Sequence, residues 1–141
     1  MNDRPAITAV PGPDISHLLA PTPGRRHHID GFDEIYVDFV DYIIRCTHRI
    51  WEQKQVGLID THYSEDCLLH TPSGPIQGRD AVTGGTVKTL AGFPDRTLIG
   101  DAVVWDETPA GFLSSHRIVS HATNLGASDF GPATGRQATF I

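Results

Sequence analysis

Eight histidines stand in a chain with few other titratable side chains suited to a core, and they pose the first chemical question. His116 and His121 fall on one predicted strand, five residues apart. Side chains alternate along a strand with period two, so this pair points to opposite faces and cannot share a metal ion. The sequence has no HxH or HExxH pattern and no carboxylate triad to replace them, so no metal is expected. The face carrying Ser115, Arg117, Val119 and His121 is expected to line a concave cavity, where buried polar groups must find partners. Phe112, Ser114, His116, Ile118 and Ser120 would then form the convex face, which a second subunit would cover. Gly84-Gly85-Thr86-Val87-Lys88-Thr89 resembles a phosphate loop at a glance. It lacks a glycine directly before the lysine, a preceding strand and a following helix, so backbone amides cannot wrap a phosphate there. Asp101, Asp106 and Asp129 read as carboxylates at water-exposed turns or strand ends.

These side chains need elements to hold them. Residues 1–31 carry Pro5, Pro11, Pro13, Pro21 and Pro23 with glycines between, the pattern of a leader arm that does not fold alone. Within it Ile15, Leu18 and Leu19 could dock as a short helical turn. From Asp33 the apolar residues Tyr36, Val40, Ile43 and Ile50 recur at helical steps beside Phe32, Phe39 and Trp51, which predicts a long amphipathic helix. Asp30 or Asp33 can cap it by accepting a hydrogen bond from the orphan N–H groups of its first turn. Gly57 is read as the break. Leu58, Ile59, His62 and Tyr63 suit a shorter helix ending before Asp66. Cys67 to Thr71 reads as a strand stopped by Pro72 and Ser73-Gly74. Arg79 to Ala91 has helical spacing, weakened by Gly84-Gly85. Beyond Phe93-Pro94-Asp95 the period becomes strand-like over Leu98 to Trp105 and Gly111 to Thr123, joined by a turn near Pro109. A turn at Gly131 to Arg136 opens into a last strand from Gln137. Helices first and antiparallel strands after predict an α+β domain over 32–141, with helices on one face of a curved sheet.

At 141 residues the chain is one domain's worth. Hydrophobic content of 39% and charged content of 20% fit a globular class with no membrane partner, and no apolar run is long enough for a membrane span. A formal charge of −6 argues against nucleic acid, which selects a basic stripe; Arg25-Arg26-His27-His28 is the one basic cluster. Cys46 and Cys67 lie in apolar surroundings without metal or CxxC spacing and are expected as buried free thiols, which with the lack of a signal peptide places the protein in the cytoplasm.

The order long helix, short helix, Leu68-Leu69-His70-Thr71-Pro72, Gly78-Arg79-Asp80-Ala81-Val82, Gly92-Phe93-Pro94-Asp95, strand pair and Pro132-Ala133-Thr134-Gly135-Arg136 resembles the SnoaL-like polyketide cyclase group of the NTF2-like superfamily. The resemblance runs from Asp33 to Ile141. It implies a cone made by a strongly bent antiparallel sheet closed by helices, a homodimer through the outer sheet face, and an interior pocket for a small hydrophobic carbonyl compound. It also implies cofactor-free cyclase, isomerase or lyase chemistry, in which a carboxylate serves as acid and base while a histidine steadies the enolate. His121 matches the family's catalytic histidine. His70 matches the family's histidine at the end of the first strand and Asp95 an aspartate that holds a loop; with Tyr63, Trp105 and Arg117 they make up the expected substrate-binding set. The turn reads Pro-Ala-Thr-Gly where the family has Ala-Pro-Thr-Gly. The family's catalytic aspartate belongs to a later strand, so the domain is expected to be incomplete at Ile141. A non-catalytic ligand-binding or dimerisation module is the alternative.

Overall fold

Asp38 fixes where the first long helix begins. Its Oδ1 accepts the Asp41 N–H at 2.6 Å and its carbonyl accepts the Tyr42 N–H, which satisfies two donors that a helix start leaves unpaired. The helix, α1, therefore spans Phe39–Trp51. The sequence placed its cap at Asp30 or Asp33; Asp33 instead accepts the Tyr36 N–H in a turn that precedes the helix. This computed structural model describes residues 8–9, 33, 35–109 and 111–141. The expectations for Ile15, Leu18, Leu19, Asp30, Phe32 and the Arg25-Arg26-His27-His28 cluster fall outside the described residues.

The remaining elements in chain order are β1 (Thr8–Ala9), α2 (Leu58–His62), β2 (Leu68–Thr71), β3 (Gly74–Gln77), α3 (Arg79–Gly92), β4 (Thr97–Thr108), β5 (Gly111–Thr123) and β6 (Gln137–Phe140). The strands form a sheet ordered β1-β4-β5-β6 and a separate β2-β3 hairpin. The class is α+β with antiparallel pairing, and the larger sheet is open, with β1 and β6 at its edges.

The chain divides into two compact units. One comprises Met1–Cys46, Leu98–Ser120 and Phe140–Ile141. Its core joins Phe39, Val40 and Ile44 of α1 to Val103 and Trp105 of β4. Phe39 stacks on Phe112 with ring centroids 4.9 Å apart and stands 5.0 Å from Trp105. Such aromatic pairs add about 0.5–1.5 kcal/mol each beyond the area they bury. Thr8 pairs opposite Val103 and Ala9 opposite Ala102, so this part of the leader serves as an edge strand. Asp41, whose side chain is fully buried, accepts Arg45 Nε at 2.6 Å and the Val37 N–H at 2.9 Å. The Arg45 guanidinium also donates to the Ile35 carbonyl and lies 5.2 Å from the Tyr36 ring centre. One cation thereby ties the irregular 35–38 segment to the helix it precedes.

The other unit comprises Thr47–Thr97 and His121–Thr139. Here α1 ends in a turn through Lys54, whose φ of 60° is the one positive value among described non-glycine residues. The break anticipated at Gly57 thus comes earlier, and Gly57 itself has ordinary helical angles at the start of α2. Ile59 anchors α2 in this unit's interior. The β2-β3 hairpin closes tightly, with Thr71 opposite Gly74 and the Thr71 hydroxyl donating to the Gly74 carbonyl at 2.7 Å. The third helix, α3, packs on α2 and β3 and buries Val82 and Thr86. Thr86 returns its hydroxyl to the Val82 carbonyl, which removes an otherwise unpaired buried donor. The loop following β5 lies directly on the end of α3: the Leu125 and Gly126 N–H groups both donate to the Gly92 carbonyl.

Candidate functional site

The outer ends of three strands in the second unit carry a row of polar side chains. Thr97 at the start of β4 donates its hydroxyl to the His121 carbonyl at 3.3 Å. His121 on β5 sets Nδ1 3.1 Å from the hydroxyl of Thr139 on β6. Asp95, in the turn between α3 and β4, accepts the Thr123 N–H at 2.7 Å. Together with Gln137, these residues line a half-open depression of ≈ 420 Å³. All its lining residues belong to this one unit.

Alternation along the strands explains who faces it. On β6, Gln137 and Thr139 are exposed while Ala138 and Phe140 are half-buried. On β5, Ser120 and Ala122 are buried and His121 is exposed. This reverses the expectation that Ser115, Arg117, Val119 and His121 form the inward face. Phe112 packs against Phe39 and Trp105, and Ser120 and Ala122 are buried, so near both ends of β5 even-numbered residues turn inward, while Ser114 and His116 between them are exposed. Both faces mix polar and apolar residues, and reading the pleat one residue out of step exchanges them completely. His121 consequently sits on an open rim, where a dry cavity had been expected.

Of the other residues singled out from the sequence, Tyr63 is the half-buried cap at the end of α2, donating its N–H to the Ile59 carbonyl. His70 is exposed on β2, opposite Pro75. Neither lines the depression. Trp105 and Arg117 belong to the first unit, Trp105 buried in its aromatic core and Arg117 exposed on β5. The depression therefore brings together His121 and Asp95 from the anticipated set. Thr97, Gln137 and Thr139 were missed, although the polar-apolar alternation of Gln137-Ala138-Thr139-Phe140 is a legible sign of an outward pair.

Hydrogen bonding from Thr123, first its hydroxyl and then its N–H, holds the Asp95 carboxyl below the ordinary carboxylate value. Asp95 is thus ionised at neutral pH and a poor base. Cys67 is half-buried, and burial followed by the neighbouring Asp66 charge pushes its thiol up, which keeps it from acting as a thiolate nucleophile. Cys46 is a buried free thiol. Among the described residues no group of three His, Cys, Asp or Glu side chains could hold a metal ion, and no helix is long and apolar enough to cross a membrane. The pair Gly84-Gly85 lies inside α3, where the amides are engaged in helix bonds and cannot cradle a phosphate.

No family model, no curated protein and no solved structure matches the chain.

Proposed function

We propose that this protein is a small-molecule-binding module of the SnoaL-like kind, taking a small carbonyl compound in the depression beside His121. The carrying observation is that His121 and Asp95, far apart in sequence, line the same depression, with the Thr139 hydroxyl held against the imidazole. The order of elements, long helix, short helix, hairpin, helix, long β-pair and final strand, supports the same family reading. The His121 ring and the Thr139 hydroxyl, which share a hydrogen bond at 3.1 Å, are the pair that would receive the ligand's carbonyl oxygen. Binding is favoured over turnover, because a general base works best with its pKa near the working pH, and the one carboxylate lining the depression is held well away from that.

We also place a homodimer in this reading. Leu113 and Val104 are 67% and 44% exposed on the outward side of β5 and β4, an apolar pair suited to a second copy.

The test of the binding reading is titration of isotope-labelled protein with butan-2-one. Shifts should gather at the amides of residues 95–97, 121–123 and 137–139. His121→Ala and Thr139→Val should each weaken binding by roughly three- to ten-fold, the worth of one neutral hydrogen bond. Shifts elsewhere, or none at saturating probe, would sink the assignment.

A further inference from the structure

We propose that the ligand of this depression carries a cationic amine seated against Asp95, in addition to the carbonyl group received by His121 and Thr139. This rests on reading the depression as the binding site and names the class of compound it takes.

The argument begins with the lining. Among its side chains are one carboxylate, one imidazole, three threonine hydroxyls and one carboxamide, with no lysine or arginine. Asp95 accepts the Thr123 hydroxyl and, on Oδ1, the Thr123 N–H. A carboxylate has about four acceptor sites on two oxygens, so capacity remains for a donor from the ligand. The Thr97 hydroxyl has given its proton to the His121 carbonyl and is left with lone pairs only. Acceptors therefore dominate at this end of the depression. An ammonium group, with three donors and no acceptor, complements that arrangement, whereas a carboxylate or phosphate would meet Asp95 with no cation among the lining side chains to offset it.

The end of α3 has the same sign. α3 ends at Gly92, just before the turn that carries Asp95, and a helix C-terminus favours positive charge. Hydrogen bonds from Thr123 keep the carboxyl ionised through the neutral range. Lys54 acts on Asp95 only weakly, and its ammonium donates to the Trp51 carbonyl at 2.8 Å. The chain as a whole carries a formal charge of −6, which repels small anions and draws in small cations. Because Asp95 is exposed, the attraction is screened by water and salt, which makes it sensitive to ionic strength.

The experiment compares three probes of similar size on the intact chain by amide and imidazole chemical shifts: n-butylammonium, butan-2-one and butyrate. Butylammonium should bind at least about three-fold more tightly than butan-2-one at low salt, and the advantage should fade towards about 0.3 M salt. Gln137→Glu, an exposed change that adds a carboxylate, should tighten butylammonium binding, and Gln137→Lys should abolish the preference. Asp95→Asn should also remove the preference; the Gln137 variants carry the test if that protein fails to fold. Butyrate binding as well as butylammonium overturns the proposal. Equal binding of butan-2-one and butylammonium, with no salt dependence, overturns it while leaving the carbonyl-binding function standing. Failure of butan-2-one and butylammonium alike removes both.

Discussion

Asp95 accepts the backbone N–H of Thr123 at 2.7 Å, joining the turn after α3 to the last residue of β5. The Thr123 hydroxyl and then this bond favour the ionised carboxyl, so the folded value lies below the unfolded value of about 3.9. The stabilisation is therefore complete above the unfolded value and is lost as pH falls through the folded one. The Thr123 amide should report a titration midpoint below about 3.9, and Asp95→Asn should flatten the acid limb of stability below about pH 4. A Thr123 amide titrating at or above the ordinary carboxylate value would contradict the geometry.

Gly126 has no room for a side chain. A Cβ there would stand 2.2 Å from the Ala91 carbonyl oxygen and 3.1 Å from its carbon. Relief requires two backbones to part, so Gly126→Ala should destabilise by about 1–3 kcal/mol or more. Gly84, in the middle of α3 with open space around it, behaves oppositely. Gly84→Ala should stabilise by about 0.5–1 kcal/mol through helix propensity. Urea midpoints with unchanged slopes would measure both, and the ordering of the two variants is the decisive outcome.

Arg45 neutralises a carboxylate with no exposure to water: Asp41 has a side-chain exposure of 0%, against 23% for Arg45. Arg45→Met should remove this cation from the buried carboxylate, which keeps the Val37 N–H. The expected loss is about 3 kcal/mol, the lower end of the range for broken buried pairs, because Arg45 keeps partial contact with solvent. A loss below about 1 kcal/mol would class the pair with ordinary surface ion pairs.

Leu113 is the residue whose replacement tests the dimer. Sedimentation velocity at micromolar concentration should show a dimer for the native chain. Leu113→Glu should raise the dissociation constant by roughly ten-fold or more, the effect of charging an apolar contact. A native chain that sediments as a monomer removes the dimer from the functional reading.

The elements were mostly legible in the sequence because their signals are local. The apolar repeat through Val40 and Ile50 marked α1, and the turn residues after Thr71 marked the end of β2. Boundaries were less so. Asp38 and Asp41 both stand within the periodic run, and which acid caps is decided by the Asp38-to-Asp41 hydrogen bond, whose geometry the apolar pattern does not contain. β3 went unnoticed because Gly74-Pro75-Ile76-Gln77 has poor strand propensity and is held by pairing with β2. For the site, His121 and Asp95 were legible as residue types, but the side of β5 on which His121 stands was not. That depends on packing: Phe112 takes the place beside Phe39 and Trp105, Ser120 and Ala122 are buried, and the pleat then turns His121 outward between them.

Asn124 follows β5 directly and collects the chain that returns towards β6. Its N–H donates to the Arg136 carbonyl at 2.9 Å, its carbonyl accepts the Thr134 and Gly135 N–H groups, and its side-chain oxygen accepts Thr134 again at 3.0 Å. Pro132-Ala133-Thr134-Gly135 has the composition of a linker and is exposed to solvent. Such stretches are ordinarily where proteases cut and where foreign sequence can be spliced in. Here the buried Asn124 works as a clasp, so the turn that looks most permissive is a poor place to graft a tag or open the chain for circular permutation.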